Sequence, residues 1–167
     1  AARRFARHGL RLSSQQGFLL RGVPETEAPA AYARLDEADL ATAAGGWMVT
    51  LTCCRGTRAC LGAITSSHDL VDALAPVMAE AHFQEPAIAG LRIGISGCPQ
   101  DCAILRLADI GFCGVTRRIG SERAPLYRIY VGGSGGERKT RFGSLLAEVP
   151  ARHAPEALRR LLALYRE

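Results

Sequence analysis

Short apolar runs broken by glycine and proline fill most of this chain, and a helical repeat of apolar positions closes it. Ala1–His8 reads as the end of a helix stopped by Gly9. Leu10–Ser13 and Phe18–Val23 read as strands, with Gln15-Gln16-Gly17 at the turn. Phe5 and Leu10 are expected to face a core. Pro24 opens a helical stretch to about Leu40, with Tyr32 and Leu35 on its inward face. Gly45-Gly46 is the best candidate boundary, and a β-rich run follows from Trp47 to Thr52. The pattern predicts a helix from about His68 to Phe83, kinked or restarted at Pro76. Leu91–Ser96 is a short apolar strand, after which Gly97-Cys98-Pro99 turns the chain into a helix with proline at its first position. Asp109–Val115 and Leu126–Val131 read as two strands, and Gly132–Lys139 as a loop with four glycines. In the last helix, Pro155–Tyr165, Leu158, Leu161, Leu162 and Tyr165 share one face. This order of elements indicates an α+β protein with mixed sheets.

With 167 residues, 48% of them hydrophobic, the chain can build a core without cross-links. The formal charge of +5 is carried mainly by scattered arginines, and only 6% of residues are aromatic. Neither a basic stripe nor a stacking platform for nucleic acid is present. The surplus suits an acidic redox partner or an anionic cofactor. No apolar run reaches the length of a membrane span. The arginine-rich start resembles a transit peptide, but its apolar residues are read as part of the fold. Six cysteines could form three disulfides in a secreted protein. The absence of a signal-peptide pattern and the ample apolar content favour a reducing cytoplasm instead.

Four of those cysteines form two short pairs, Cys54-x5-Cys60 and Cys98-x3-Cys102. Thiolates converging from two loops are the usual ligands of an iron–sulfur cluster. Cys98 is expected at a helix N-cap and Cys102 one turn further on, where free N–H groups and the helix dipole stabilise thiolates. Gly56 is expected to bend the first loop back toward the same centre. Structural zinc and unliganded core thiols are the alternatives, and a five-residue spacing is wide for zinc. Cys53 and Cys113 stand outside the pairs as core thiols, with Cys53, next to Cys54, also open as a swapped ligand in an oxidised or metal-free preparation. Arg55 and Arg58 lie in the first loop as candidates for contact with cofactor carboxylates or an electron donor, with a solvated surface as the alternative. His8, His68, His82 and His153 have no spacing that suggests a metal site. Gly132-x2-Gly135 lacks the context of a phosphate loop, and the basic residues Arg138, Lys139 and Arg141 are read as surface.

Taken together, Thr52-Cys53-Cys54-Arg55-Gly56-Thr57-Arg58-Ala59-Cys60, Ile95-Ser96-Gly97-Cys98-Pro99-Gln100-Asp101-Cys102-Ala103 and Ala108-Asp109-Ile110-Gly111-Phe112 resemble the C-terminal catalytic repeat of sirohaem-dependent nitrite and sulfite reductases. Arg11–Gln16, Arg21-Gly22-Val23 and Tyr130-Val131-Gly132-Gly133 extend the likeness over nearly the whole chain. The resemblance implies a ferredoxin-like half-domain over 1–45, lacking its first strand, and a [4Fe-4S] haemoprotein-type α+β domain over 46–167. It implies that Cys54, Cys60, Cys98 and Cys102 bind a [4Fe-4S] cluster and that Cys102 also bridges to the iron of a sirohaem. The implied reaction is multi-electron reduction of sulfite or nitrite, fed by a ferredoxin, flavoprotein or other redox subunit.

The chain departs from that family in its basic residues. The turn position that carries an arginine in the family is Gln15 here, and a second such position, before the first cysteine pair, is Val49. Arg92 matches a basic position and is the candidate anion contact. One oxyanion donor is worth about 3–4 kcal/mol of barrier, so the chain reads as a reductase completed by a partner subunit, or as a weakened or repurposed one. A haem-free electron-transfer or accessory subunit is the first rival, and a related corrin-biosynthesis enzyme the second. A single repeat with an open sheet edge implies a homodimer or a heteromeric complex.

Overall fold

Two parallel strands, β3 (Leu51–Cys53) and β4 (Ile93–Ser96), pair with Cys53 opposite Ile95, which sets the ends of both cysteine-bearing segments side by side. The computed structural model describes residues 2–13, 17–41, 51–80, 88, 90–136 and 139–166. The chain divides into two units, Ala1–Ala44 and Gly45–Glu167.

The first unit holds a single helical turn, α1 (Ala2–Phe5), a short antiparallel hairpin of β1 (Leu10–Leu12) and β2 (Phe18–Leu20), and the helix α2 (Ala28–Asp36). Phe5 is buried as expected, but Leu10 is not. Leu10 lies on a two-stranded sheet whose apolar residues Leu12, Phe18 and Leu19 are also exposed, because this unit lays no second layer of its described residues over them. On α2 the buried residue is Ala31, while Tyr32 is exposed and donates its hydroxyl to the Ala41 carbonyl (2.9 Å). Tyr32 thus satisfies its polar end locally instead of entering a core. The Gln15 turn and the stretch containing Gly45, Trp47 and Val49 lie outside the described residues.

In the second unit, β3, β4 and β5 (Ile110–Ile119) run parallel, and β6 (Glu122–Val131) and β9 (Ser144–Pro150) complete the five-stranded sheet antiparallel, in the order β3-β4-β5-β6-β9. The crossover from β3 to β4 contains helix α3 (Ser67–Met78), which runs through Pro76 without stopping. Phe83, in the predicted end of that helix, falls outside the described residues. α3 and the closing helix α4 (Ala154–Arg166) pack on one face of the sheet, where Leu74, Val77, Ile95, Phe112, Ile129 and Leu158 form the core. The other face is covered by a 3-10 turn at Leu105–Leu107, with Leu105, Cys113, Val115 and Leu126 in a smaller cluster.

Several expectations need correction. β5 and β6 form one ten-residue hairpin, longer than the two runs that mark it, because its distal half (Thr116–Ile119 with Glu122–Pro125) is mostly exposed and carries arginine and glutamate where a core strand would be apolar. Gly132–Lys139 is not all loop: β7 (Ser134–Gly136) pairs with β8 (Lys139–Arg141). The sequence pattern does not reveal strand β9, because its polar Ser144 and Glu148 mask the alternation. On α4 the buried positions are Ala154, Leu158 and Leu162, and Tyr165 is 58% exposed. The repeat outlasts the sheet that the helix covers.

Leu158 is fully buried between α4 and the sheet. Leu158→Ala is expected to cost about 2–5 kcal/mol in urea denaturation, whereas Tyr165→Ala should stay within about 0.5 kcal/mol of the parent.

Candidate functional site

Each cysteine loop leaves the carboxyl end of a parallel strand, the place where open sheets carry their ligands. Cys54 follows β3 and Cys98 follows β4 by two residues. The first loop folds back through a 3-10 turn at Gly56–Arg58, with Gly56 at φ +56°. A side chain at Gly56 would meet the Ser67 backbone nitrogen at 2.4 Å, so the expected bend requires glycine.

Gly97 joins the two loops. Its carbonyl accepts the Ile64 and Thr65 N–H groups, both at 2.9 Å, and the Thr65 hydroxyl at 3.3 Å. Its own N–H donates to Cys54 Sγ at 3.1 Å. Packing around it is close enough that a Cβ on Gly97 would lie 2.5 Å from the Thr65 carbonyl oxygen. Gly114 on β5 is equally constrained: a Cβ there would meet Thr65 Oγ1 at 2.0 Å and the Gly97 carbonyl at 2.6 Å.

Cys54 is half-buried, and its sulfur also receives the Gly56 N–H (3.4 Å) and lies 3.1 Å from Ser67 Oγ. Burial alone would raise this thiol, but the hydrogen bonds from Ser67, Gly97 and Gly56 outweigh it and hold Cys54 below the usual thiol value. The neighbouring Cys53 moves the other way, raised by burial and by Cys54. Cys98 is buried, while Cys60 and Cys102 are exposed. Among the described residues, no three cysteine, histidine or carboxylate side chains stand close enough to hold a single metal ion. The loops are brought together, and two of the four thiols face outward.

The helix expected after Cys98 is absent. Residues 98–103 form turns, and Asp101 and Ile104 adopt left-handed backbone angles (φ +54° and +51°) that break a helix. Asp101 holds this conformation by accepting the Leu105 N–H at 2.6 Å, and Ser96 Oγ accepts the Ala103 N–H at 3.1 Å. The Cys98–Cys102 loop is therefore stabilised by side-chain hydrogen bonds and not by a helix N-terminus.

The candidate basic residues divide into engaged and free ones. Arg58 binds Asp69 (2.6 Å) and Asp72 (3.1 Å) of α3, and the pairing holds the Asp69 carboxyl below its ordinary range. Arg92 donates Nε to Asp109 (3.2 Å), which also accepts the Arg92 backbone N–H (2.8 Å). Arg55 is exposed and forms no ion pair among the described residues. Gln15 lies outside them. A cleft of about 470 Å³ borders the second cysteine loop at Pro99 and Asp101 and is lined by Arg106, Arg128 and Tyr130. Arg106 stacks on the Tyr130 ring (5.2 Å), and Arg128 pairs with Glu148 (3.2 Å). Ser67, Thr65 and Arg106 carry no site signal in the sequence, and Ser96 and Asp101 carry one only as members of the second cysteine motif. Ser66 and Asp69 match a helix-start signature, which locates α3 but does not show that Ser67 faces a cysteine.

Gly114→Ala is expected to lose about 1–3 kcal/mol in urea denaturation through overpacking against Thr65 and Gly97. Burial, with a smaller contribution from Asp101, pushes the Cys113 thiol up to about 11 from 9.0. The folded protein then keeps a proton that the unfolded chain releases between those values, so Cys113 favours folding below about pH 9 and this contribution is lost as pH rises toward 11. Denaturation midpoints across that window should fall less steeply in Cys113→Val than in the parent.

Comparison with known proteins agrees with this architecture. Residues 44–167 match the nitrite and sulphite reductase 4Fe-4S domain. A coenzyme F420-dependent sulfite reductase of Methanocaldococcus jannaschii is 32% identical over 108 residues, covering 64% of this chain and 17% of that protein. The Mycobacterium tuberculosis NirA protein has the same fold, with a TM-score of 0.78 at 23% identity over 92% of this chain and 29% of its own. The chain thus spans less than a third of either relative. Its fold is the mixed α+β fold seen in NirA. With cysteine loops stitched at strand ends and the match covering all of the five-stranded unit, the chain belongs to the nitrite and sulphite reductase 4Fe-4S domain family.

Proposed function

We propose that this chain is the cluster-bearing redox domain of a sulfite- or nitrite-reducing assembly. The observation that carries the reading is the joint at Gly97, which fixes two cysteine loops against each other and aims backbone and hydroxyl donors at the Cys54 sulfur. Such donors suit a thiolate ligand. Cys54, Cys60, Cys98 and Cys102 would hold a [4Fe-4S] cluster. Cys60 and Cys102 are both exposed; the family resemblance makes Cys102 the thiolate that would meet a second cofactor. When bound, the cluster supplies electrons one at a time, and sirohaem supplies the place where a small oxyanion is reduced.

The residues of the chain have separable tasks in this reading. Gly97, Thr65 and Gly114 hold the loops in register. Asp101 and Ser96 shape the turn that presents Cys102. Arg55 and Arg106, which have no carboxylate partner among the described residues, are the cations available for cofactor carboxylates or an anion. Arg92 would reach an anion only by sharing its charge with Asp109. A partner subunit or a second copy of the chain would supply the remaining cations, and a separate redox protein the electrons. Among the described residues no helix is long and apolar enough to cross a membrane.

The engagement of Arg58 and Arg92 by carboxylates also favours a second reading, an electron-transfer or accessory subunit without haem. Protein purified without oxygen from cells that make sirohaem separates the two. Iron, acid-labile sulfide and haem bands in the visible spectrum support the reductase domain, and iron and sulfide without haem support the accessory subunit. Protein lacking both iron and sulfide after anaerobic reconstitution overturns the cluster assignment. Cys102→Ser is expected to abolish the haem-coupled spectrum and most sulfite or nitrite reduction; full activity in that variant would overturn the role given to Cys102.

A further inference from the structure

Ser67 is wholly buried in the first turn of α3. Among the described residues its hydroxyl has one hydrogen-bonding contact, Cys54 Sγ at 3.1 Å. The helix does not need this hydroxyl as a cap, because Ser66 Oγ already accepts the Asp69 N–H at 3.3 Å. Two backbone donors meet the same sulfur, Gly97 N–H at 3.1 Å and Gly56 N–H at 3.4 Å. By contrast, no hydrogen bond reaches the sulfurs of Cys60, Cys98 or Cys102 among the described residues. One sulfur of the four thus has three hydrogen-bonding partners, and one of those partners is a side chain that can be changed without touching the backbone.

We propose that Ser67 is a positioning residue that sets the reduction potential of the cluster through Cys54. The proposal rests on the cluster assignment above. A cysteine sulfur that ligates iron carries no proton, so the Ser67 hydroxyl can then only donate to it. Reduction adds an electron to the cluster and concentrates negative charge on its thiolates, which strengthens every hydrogen bond they accept. A donor at Cys54 therefore stabilises the reduced cluster more than the oxidised one, and hydrogen bonds to sulfur are among the features that set cluster potentials. Burial keeps water from replacing the hydroxyl once it is removed. At Cys60 and Cys102, which are exposed, solvent can take that part.

The test is a potentiometric titration of the reconstituted chain followed by electron paramagnetic resonance, with iron and sulfide counted in each preparation. In Ser67→Ala the ratio of reduced to oxidised cluster at a fixed potential is expected to fall about tenfold, a downward shift of about 59 mV for a one-electron couple. Ser67→Cys keeps a weaker donor on a larger atom and should fall between parent and alanine variant. Ser66→Ala removes the cap beside it and should leave the potential unchanged. An unshifted potential in Ser67→Ala with a full cluster overturns the inference, as does an equal shift in Ser66→Ala, which would reveal general loosening. If the alanine variant holds no cluster, Ser67→Cys decides, and a parental potential there overturns the inference. A parent chain that takes up no cluster overturns the assignment beneath it, an outcome distinct from all of these.

Discussion

The carbonyl and N–H of one glycine, Gly97, hold together everything that gives this chain a candidate chemistry. Through its carbonyl it fixes the return of the first cysteine loop at Ile64 and Thr65, and through its N–H it reaches the Cys54 sulfur. Neither contact survives a side chain at this position, because the Thr65 carbonyl lies where a Cβ would be. The constraint spreads outward: Gly56 and Gly114 must also be bare, since each packs its backbone against Thr65, Ser67 or Gly97. Three strands contribute to this contact, so the sheet is a frame for two loops that would not meet without it.

The parallel pairing of β3 and β4 supplies that frame at little cost. Cys53 stands opposite Ile95, and continuing each strand by a few residues brings Cys54 and Cys98 to neighbouring strand ends. A shift of the register by one residue would turn alternate side chains to the opposite face, so the buried row of Ile93 and Ile95 under α3 also sets the position of the cysteines. Core packing and site geometry are here the same constraint, which is why substitutions in the small residues around Thr65 are expected to be felt in both.

Much of this was readable in the residues, and what was not has identifiable causes. The cysteine spacing, the bend at Gly56, the apolar strand before Gly97 and the closing helix all carry local signals, and the structure contains them. The helix expected after Cys98 fails because Asp101 hydrogen-bonds forward to Leu105 and, with Ile104, takes a left-handed conformation, a competition between side chain and backbone that proline at position 99 conceals. The distal half of the β5–β6 hairpin and strand β9 were missed because strands exposed on one or both faces lose their apolar alternation. Tyr165 and Tyr32 follow the helical repeat but project beyond the surface available to cover them. Ser67 illustrates a deeper limit: its helix start is legible, yet its contact with Cys54 depends on a chain return that only the folded structure reveals.

The distribution of charge then separates two properties that a reductase has to combine. Holding a negatively charged cluster requires donors near sulfur, and the chain supplies these from backbone amides and a hydroxyl, without spending a cation. Binding a small oxyanion requires cations free of carboxylates, and here the chain is sparing: Arg58 and Arg92 are both paired, and Arg128 is held by Glu148. A paired arginine still polarises its surroundings, but part of its field is already cancelled by its partner. Under the proposed function, the described residues supply donors to a cluster ligand and leave Arg55 and Arg106 as cations without a carboxylate partner. If the proposed function holds, an anion pocket would lie at a junction with a partner subunit or a second copy, where cations from both sides can meet.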